Sequence, residues 1–345
     1  MALAPAAAGI LGGIAIAVAG YTAYWHVAAA EIEDRIETWA SDQKAAGRDV
    51  RYSETAVRGF PLRFDVSLAT PAMAAPDEGW SFETDAFGAS LKPWDFDEIT
   101  LTPGQETVVR MLNGGQWEEY TVGLGGGIAR IERGGDSIRA LYIDFSDVVF
   151  KTAWVEDPAA IARLRIDGLA PQPGPAAIID TEIMRTAIAL EGIRLPDGFG
   201  AEMGEQIEYL EMEASLFGPL PDGDTRSAAA AWRDAGGVLE INDFRVRWGP
   251  LGIASNGTIT LDGAMRPLAA MTADIIGYGD IIDALIMSNA IPLGDAFLAK
   301  VAFNMLAEEP EGGGPKTLKN VPVTAQDGAL SVGPVAVAQI PPLEF

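Results

Sequence analysis

Two hydrophobic periods divide the chain. From Ala2 to Ala30 no side chain carries a charge, and Leu3 to Tyr24 is almost entirely Ala, Gly, Ile, Leu and Val. A bilayer core requires about 20 apolar residues in a helix, so residues 1–30 are expected to form a transmembrane anchor. Ile32, Ile36 and Trp39 then recur at helical spacing. The helix should therefore continue as a stalk over residues 31–47, ending at Gly47. Beyond that point the period becomes two. Leu62, Phe64, Val66 and Leu68 alternate with Arg63, Asp65 and Ser67, and Leu141, Ile143 and Phe145 with Tyr142 and Asp144. Leu164 and Ile166 alternate with Arg163, Arg165 and Asp167; Leu210, Met212, Ala214 and Leu216 with Glu211, Glu213 and Ser215; Phe244, Val246 and Trp248 with Arg245 and Arg247. Such alternation marks strands with one dry and one wet face, the habit of antiparallel sheets.

Turn chemistry agrees. Asp-Gly at 167–168, 197–198, 222–223, 262–263 and 327–328, and Asn-Gly at 113–114 and 256–257, accept the positive φ of tight hairpin turns. Two short amphipathic helices interrupt the strands near the C-terminal end. Ile281, Ile282, Leu285 and Ile286 define one over Asp280–Asn289; Phe297, Leu298, Val301, Met305 and Leu306 define another after Pro292. A Glu/Gly/Pro loop over Glu308–Pro315 precedes two closing strands, 321–325 and 329–337. The expected fold is mainly β (α+β): an extended antiparallel twisted or rolled sheet, forming one periplasmic β-rich domain over residues 48–345.

Composition narrows the compartment and the chemistry. The chain carries 24 Lys plus Arg against 49 Asp plus Glu, a net charge of -25, and such a surface repels nucleic acid phosphates and anionic headgroups. The helix itself must then hold the protein at the membrane. Charges appear only on the distal flank, from Glu31, which favours an N-in orientation with the body outside the cytoplasm, and the absence of Cys is compatible with a periplasmic space. A cleaved signal is the competing reading, since Ala28-Ala29-Ala30 has the small-x-small form of a cleavage site, but the apolar run exceeds a signal core and Tyr24, Trp25 and His26 suit a membrane interface.

With no Cys and a single His, thiolate nucleophiles, disulfides and the usual zinc, copper or iron sites are excluded. No G-x-S-x-G elbow or S-x-x-K occurs, and the acidic pairs Asp95/Asp97, Glu118-Glu119 and Glu308-Glu309 have no spacing that marks an acid and a base. The run Gly123–Gly127 misses a nucleotide-binding loop because strand, not helix, follows, and Asp222-Gly223-Asp224 is too short for a calcium loop. The chain is thus not expected to be an enzyme, and no cofactor is implied. What remains is the apolar stripe. Phe60, Phe64, Phe145, Met212, Phe244, Trp248, Phe297 and Val301 form either a core or an apolar groove for a lipid-like ligand, with Trp232 among further aromatic candidates. The alternative is a scaffold that docks an envelope protein partner through sheet edges or the two helices.

Several short motifs in fixed order carry a resemblance. The stretch from Tyr24-Trp25 to Trp39, Gly59-Phe60-Pro61-Leu62-Arg63-Phe64, Trp248-Gly249-Pro250-Leu251 followed by Asn256-Gly257-Thr258-Ile259-Thr260-Leu261, and the ending from Gln326-Asp327-Gly328 to Pro341-Pro342-Leu343 resemble the proteobacterial family known as domain of unknown function 2125. The resemblance spans nearly the whole chain and implies a single-anchor envelope protein without assigned catalytic residues. In style the strand-turn-strand passages are also similar to AsmA-like envelope proteins, which implies an association with lipid handling.

Overall fold

A computed structural model describes residues 4–135, 137–170, 181–199, 203–221, 224–287, 293–309 and 315–343, with only the backbone of residues 4–15, Leu285 and Asp295. The protein is mainly β. Its contacts divide it into two compact units, one comprising Met1–Gly135 with Thr152–Trp154 and the other Asp136–Lys151 with Val155–Phe345. The alternation of the sequence reads as one β-rich body over residues 48–345.

Unit 1 opens with a long helix, α1 (Ala4–Ala45), which stops where Gly47 takes a φ of +84°. Ten strands follow: β1 (Asp49–Arg51), β2 (Glu54–Arg58), β3 (Phe64–Ala69), β4 (Ala72–Ala75), β5 (Trp80–Thr84), β6 (Ala86–Lys92), β7 (Asp95–Pro103), β8 (Glu106–Asn113), β9 (Gln116–Gly123) and β10 (Gly126–Gly134). They pair as two antiparallel ladders, β1-β4-β5-β8-β9 and β2-β3-β6-β7-β10. Register puts the apolar alternates on one face, as period-two patterning requires. Phe64, Val66 and Leu68 stand opposite Leu91, Ala89 and Phe87.

The helix is joined to this unit by aromatic side chains. Trp25, expected at a membrane interface, is 3% exposed; it stacks on Phe64 with ring centroids 5.1 Å apart and donates its indole N–H to Arg63 O at 3.1 Å. Buried Trp needs such an acceptor, and the turn after Gly59 supplies it. His26 packs against Trp25 and Phe60, Tyr21 donates to Pro61 O, and Tyr24, still exposed, donates to Pro93 O at 2.7 Å. Among the described residues no helix is long and apolar enough to cross a membrane. The expected anchor covers residues 1–30, and the side chains of its first half, residues 1–15, lie outside the described set.

Unit 2 is an antiparallel meander. Its strands are β11 (Ser137–Thr152), β12 (Val155–Leu169), β13 (Glu182–Arg194), β14 (Gln206–Phe217), β15 (Val238–Trp248), β16 (Leu251–Leu261), β17 (Pro267–Ile276), β18 (Thr317–Gln326), β19 (Ala329–Val332) and β20 (Val335–Gln339). From β12 to β20 each strand pairs with the next. Three helices are inserted: α2 (Thr225–Asp234), α3 (Tyr278–Met287) and α4 (Leu293–Leu306). The last two match the expected pair, except that 288–292, with Asn289 and Pro292, lie outside the described residues, as do 310–314 of the expected loop.

The main core lies where α3 and α4 cover the sheet. Ile275, Leu318 and Val321 pack there with Tyr278, Ile282, Ala296, Ala299 and Phe303. The face that α4 buries is thus its small-residue face plus Phe303. Phe297, Leu298, Val301 and Met305, expected on the inner side, are 67%, 65%, 42% and 82% exposed. Ala296 and Ala299 let the helix approach the sheet closely, and their row wins over the bulkier one.

Two expected hairpin turns are interior strand positions. Asn256-Gly257 lies within β16, where Gly257 has a φ of +149° and a Cβ would stand 2.4 Å from Ala270 O. It faces the register shift between Ile241 and Phe244 of β15, so the glycine serves a bulge and a close backbone approach. Asp167-Gly168 likewise continues β12. Asp327-Gly328 and Asp197-Gly198 do turn, and Asp222-Gly223 lies outside the described residues.

Candidate functional site

The site begins with a helix that the apolar periodicity did not announce. Asp224 caps α2, accepting from the Ser227 N–H at 3.0 Å; the Ser227 side chain first, and then that N–H, hold its carboxyl below the usual carboxylate range. The cap and the run Ala228–Ala231 favour helix, and Asp224 is thereby committed to a structural role instead of a cation loop. Trp232, near the end of α2, is 8% exposed and donates to Phe217 O at 2.8 Å. Its ring occupies the space left by two glycines: a Cβ on Gly237 would lie 2.2 Å from the indole nitrogen, and Gly218 has a φ of +100°.

Under α2 runs a cross-strand row. Leu216 of β14 pairs with Leu239 of β15, which pairs with Ile259 of β16. Between this row and Ala228, Ala229 and Trp232 lies an open apolar groove of about 580 Å³. Pro267 and Leu343 close one end, and the Leu343 N–H donates to Met265 O at 2.9 Å. The polar residues at the wall are few, and the Thr260 hydroxyl is already spent on Gly237 O at 2.8 Å. At the rim Arg266 pairs with Asp262 at 2.8 Å and donates to Asp327 O at 3.1 Å, while Arg233 pairs with Asp234 at 2.7 Å. These two guanidinium groups are therefore neutralised, and among the described residues no charged side chain lines the groove.

The aromatic and aliphatic residues proposed from the alternation do not line this groove. Phe60 and Phe64 belong to unit 1, where Phe64 is buried and Phe60 half exposed. Phe145, Met212, Phe244 and Trp248 lie half-buried along strands of unit 2, and Phe297 and Val301 point outward from α4. Of the wider set only Trp232 reaches the groove. Leu216 was visible as an alternate of β14, but the residues that roof the groove came from α2, whose signal was the cap and the alanines.

The nearest approach to an acid–base pair is Asp157 with Asp197, whose hydrogen bond raises the Asp157 carboxyl above its ordinary value. Asp157 is exposed and lies away from the groove. Among the described residues no cluster of His, Asp and Glu is placed to hold a metal ion.

Fold and groove together define a mainly β protein with an apolar surface cleft and a helix at its N-terminal side. The chain belongs to the bacterial family described as "Uncharacterized protein conserved in bacteria (DUF2125)", whose model matches residues 25–341. No curated protein and no solved structure matches the chain. The family's motifs coincide with joints of the fold. The Gly59–Phe64 stretch receives α1, and in Trp248-Gly249-Pro250-Leu251 the indole donates to Gly204 O at 2.7 Å while Gly249 sits against Met203 O.

Proposed function

We propose that the protein is a single-pass inner-membrane protein whose periplasmic body holds the acyl portion of a lipid in the groove beneath α2. The observation that carries this reading is the groove itself. At about 580 Å³ it falls within the size of ligand sites, and its wall is aliphatic and aromatic apart from two threonines. Burying hydrocarbon there gains roughly 25 cal/mol per Å² of apolar surface removed from water, and among the described residues no charged side chain lines the groove. The membrane placement is supported by the uncharged run Ala2–Ala30 and by Ile16 and Val18, which stay exposed at 76% and 59%. Residues 4–20 of α1 precede the first aromatic joint at Tyr21, and about 17 helical residues extend about 26 Å, close to a hydrocarbon core.

Extraction of the full chain from membranes in detergent, followed by lipid mass spectrometry, tests the reading. Co-purified phospholipid in the wild type, and its loss in Ala229→Trp, which fills the groove from the helix side, is the expected result. A wild-type chain that carries no lipid would refute it. A scaffold that docks an envelope protein is favoured by one observation, the outward row Phe297, Leu298, Val301 and Met305 on α4. Cross-linking from Met305 to a partner, unaffected by Ala229→Trp, would then be expected.

A further inference from the structure

We infer that unit 1 contains a second, independent ligand site, a cavity that takes one acyl chain of a membrane amphiphile between its two ladders. Register places the walls. Leu68 of β3 pairs with Phe87 of β6, and Met73 of β4 with Phe82 of β5. These four side chains belong to different ladders, yet all line one cavity of about 260 Å³, closed on a third side by Ile36 and Trp39 of α1. Its wall carries almost no polar surface although Arg51, Tyr52 and Thr84 border it; the Thr84 hydroxyl donates to Glu106 O at 2.9 Å and the Arg51 guanidinium pairs with Asp49 at 3.1 Å.

Those properties select the occupant. A cavity whose inner surface is almost wholly apolar stays dry, because a water there lacks partners, and a void of about 150 Å³ of this kind suffices for benzene. The present cavity is larger and its inner surface is almost wholly apolar, Arg51, Tyr52 and Thr84 notwithstanding, so the buried part of its ligand is plain hydrocarbon. An unfilled void also forfeits dispersion contacts on every side. Trp39 is 47% exposed although its ring borders the cavity, which puts an aromatic side chain at its edge.

The source of the chain follows from α1, a step that rests on the membrane reading above. The segment assigned to the hydrocarbon core ends at Gly20, and Ile36 and Trp39 stand 16 and 19 residues further along the same helix. At 1.5 Å per residue this is about 24 and 28 Å. The unbroken helix α1 thus leads from the outer leaflet to the cavity, and a lipid that leaves the bilayer along it reaches the cavity. The site is thus distinct from the groove of unit 2 in position, in size and in its dependence on α1.

Contact quenching of tryptophan reads occupancy directly. The full chain is reconstituted into phosphatidylcholine vesicles whose acyl chains are brominated near their ends, and in parallel into unlabelled vesicles titrated with brominated dodecanoate. The quenched component that disappears in Trp39→Phe is assigned to the cavity. Ile36→Trp, which intrudes from the helix side without touching a strand, should weaken dodecanoate quenching of Trp39 at least tenfold. Ala229→Trp, in the other groove, should leave it unchanged, so failure here and failure of the unit 2 reading are separable. Quenching by both probes identifies a bilayer lipid tail as the occupant, and quenching by dodecanoate alone identifies a free fatty acid. Absence of any Trp39-dependent quenching with either probe in the wild type overturns the proposal, whether or not Ile36→Trp folds.

Discussion

Single atoms decide several features of the groove. Gly237 has no Cβ because the Trp232 indole fills that space; Gly237→Ala should therefore cost about 1–3 kcal/mol by overpacking and shift the indole toward the groove, measurable as a red-shifted emission and a lower denaturant midpoint. Trp232→Phe keeps most of the ring but orphans Phe217 O, and a loss of about 1–3 kcal/mol is expected from that unpaired carbonyl. Gly257→Ala places a methyl against Ala270 O at a φ that side-chain-bearing residues avoid, with an expected cost of about 1–3 kcal/mol by urea unfolding. These glycines could be counted in the sequence but not interpreted. Asn256-Gly257 has the letters of a hairpin turn, and only the bulge opposite it shows why the glycine is there.

At the level of helices and strands the sequence was legible wherever polarity alternates cleanly. The strands around Phe64, Phe145, Leu210 and Phe244 and the helices α3 and α4 all lie where the pattern placed them. It failed for α2, whose inner face is made of alanines instead of large apolar residues, so the cap at Asp224 and the alanine run were the available signals. Asp224→Ala should cost about 1 kcal/mol and loosen the roof of the groove, seen as faster amide exchange over 225–234. The facing of α4 was also misread, because bulky residues were taken for the inner row while the sheet selected Ala296, Ala299 and Phe303. Phe303→Ala should cost about 3–5 kcal/mol. Phe297→Ser and Met305→Ser should each change stability by less than about 0.5 kcal/mol, and equal losses at all three positions would contradict the assigned face.

For the whole chain, division into two units was invisible because both sides of the boundary use antiparallel strands of the same period, and the division falls beside β11 and around Thr152–Trp154 instead of in a Pro-rich or charged linker. Acidity is legible in the composition, but its consequence depends on placement. The Asp144 carboxyl is held low first by the Arg163 hydrogen bond, Glu182 by Arg185, and Asp262 by the Arg266 N–H. A carboxylate with a lowered folded-state value stabilises the fold above its unfolded value, near 4, and that contribution is lost as pH falls through the folded one. Stability should therefore drop as pH falls below about 5, with a shallower slope in Asp262→Asn. Asp157 has the opposite sign. Its raised value favours the fold at low pH and opposes it as pH rises, so Asp157→Asn should stabilise the protein at neutral pH.

Photo-cross-linking in native membranes probes the groove most directly. A phospholipid bearing a diazirine in its acyl chain is incorporated, activated, and its adducts on the full chain are mapped by peptide mass spectrometry. Adducts within 216–232 and 259–267, suppressed by Ala229→Trp, are expected. Labelling that reaches α1 but never those two segments would show that no lipid enters beneath α2.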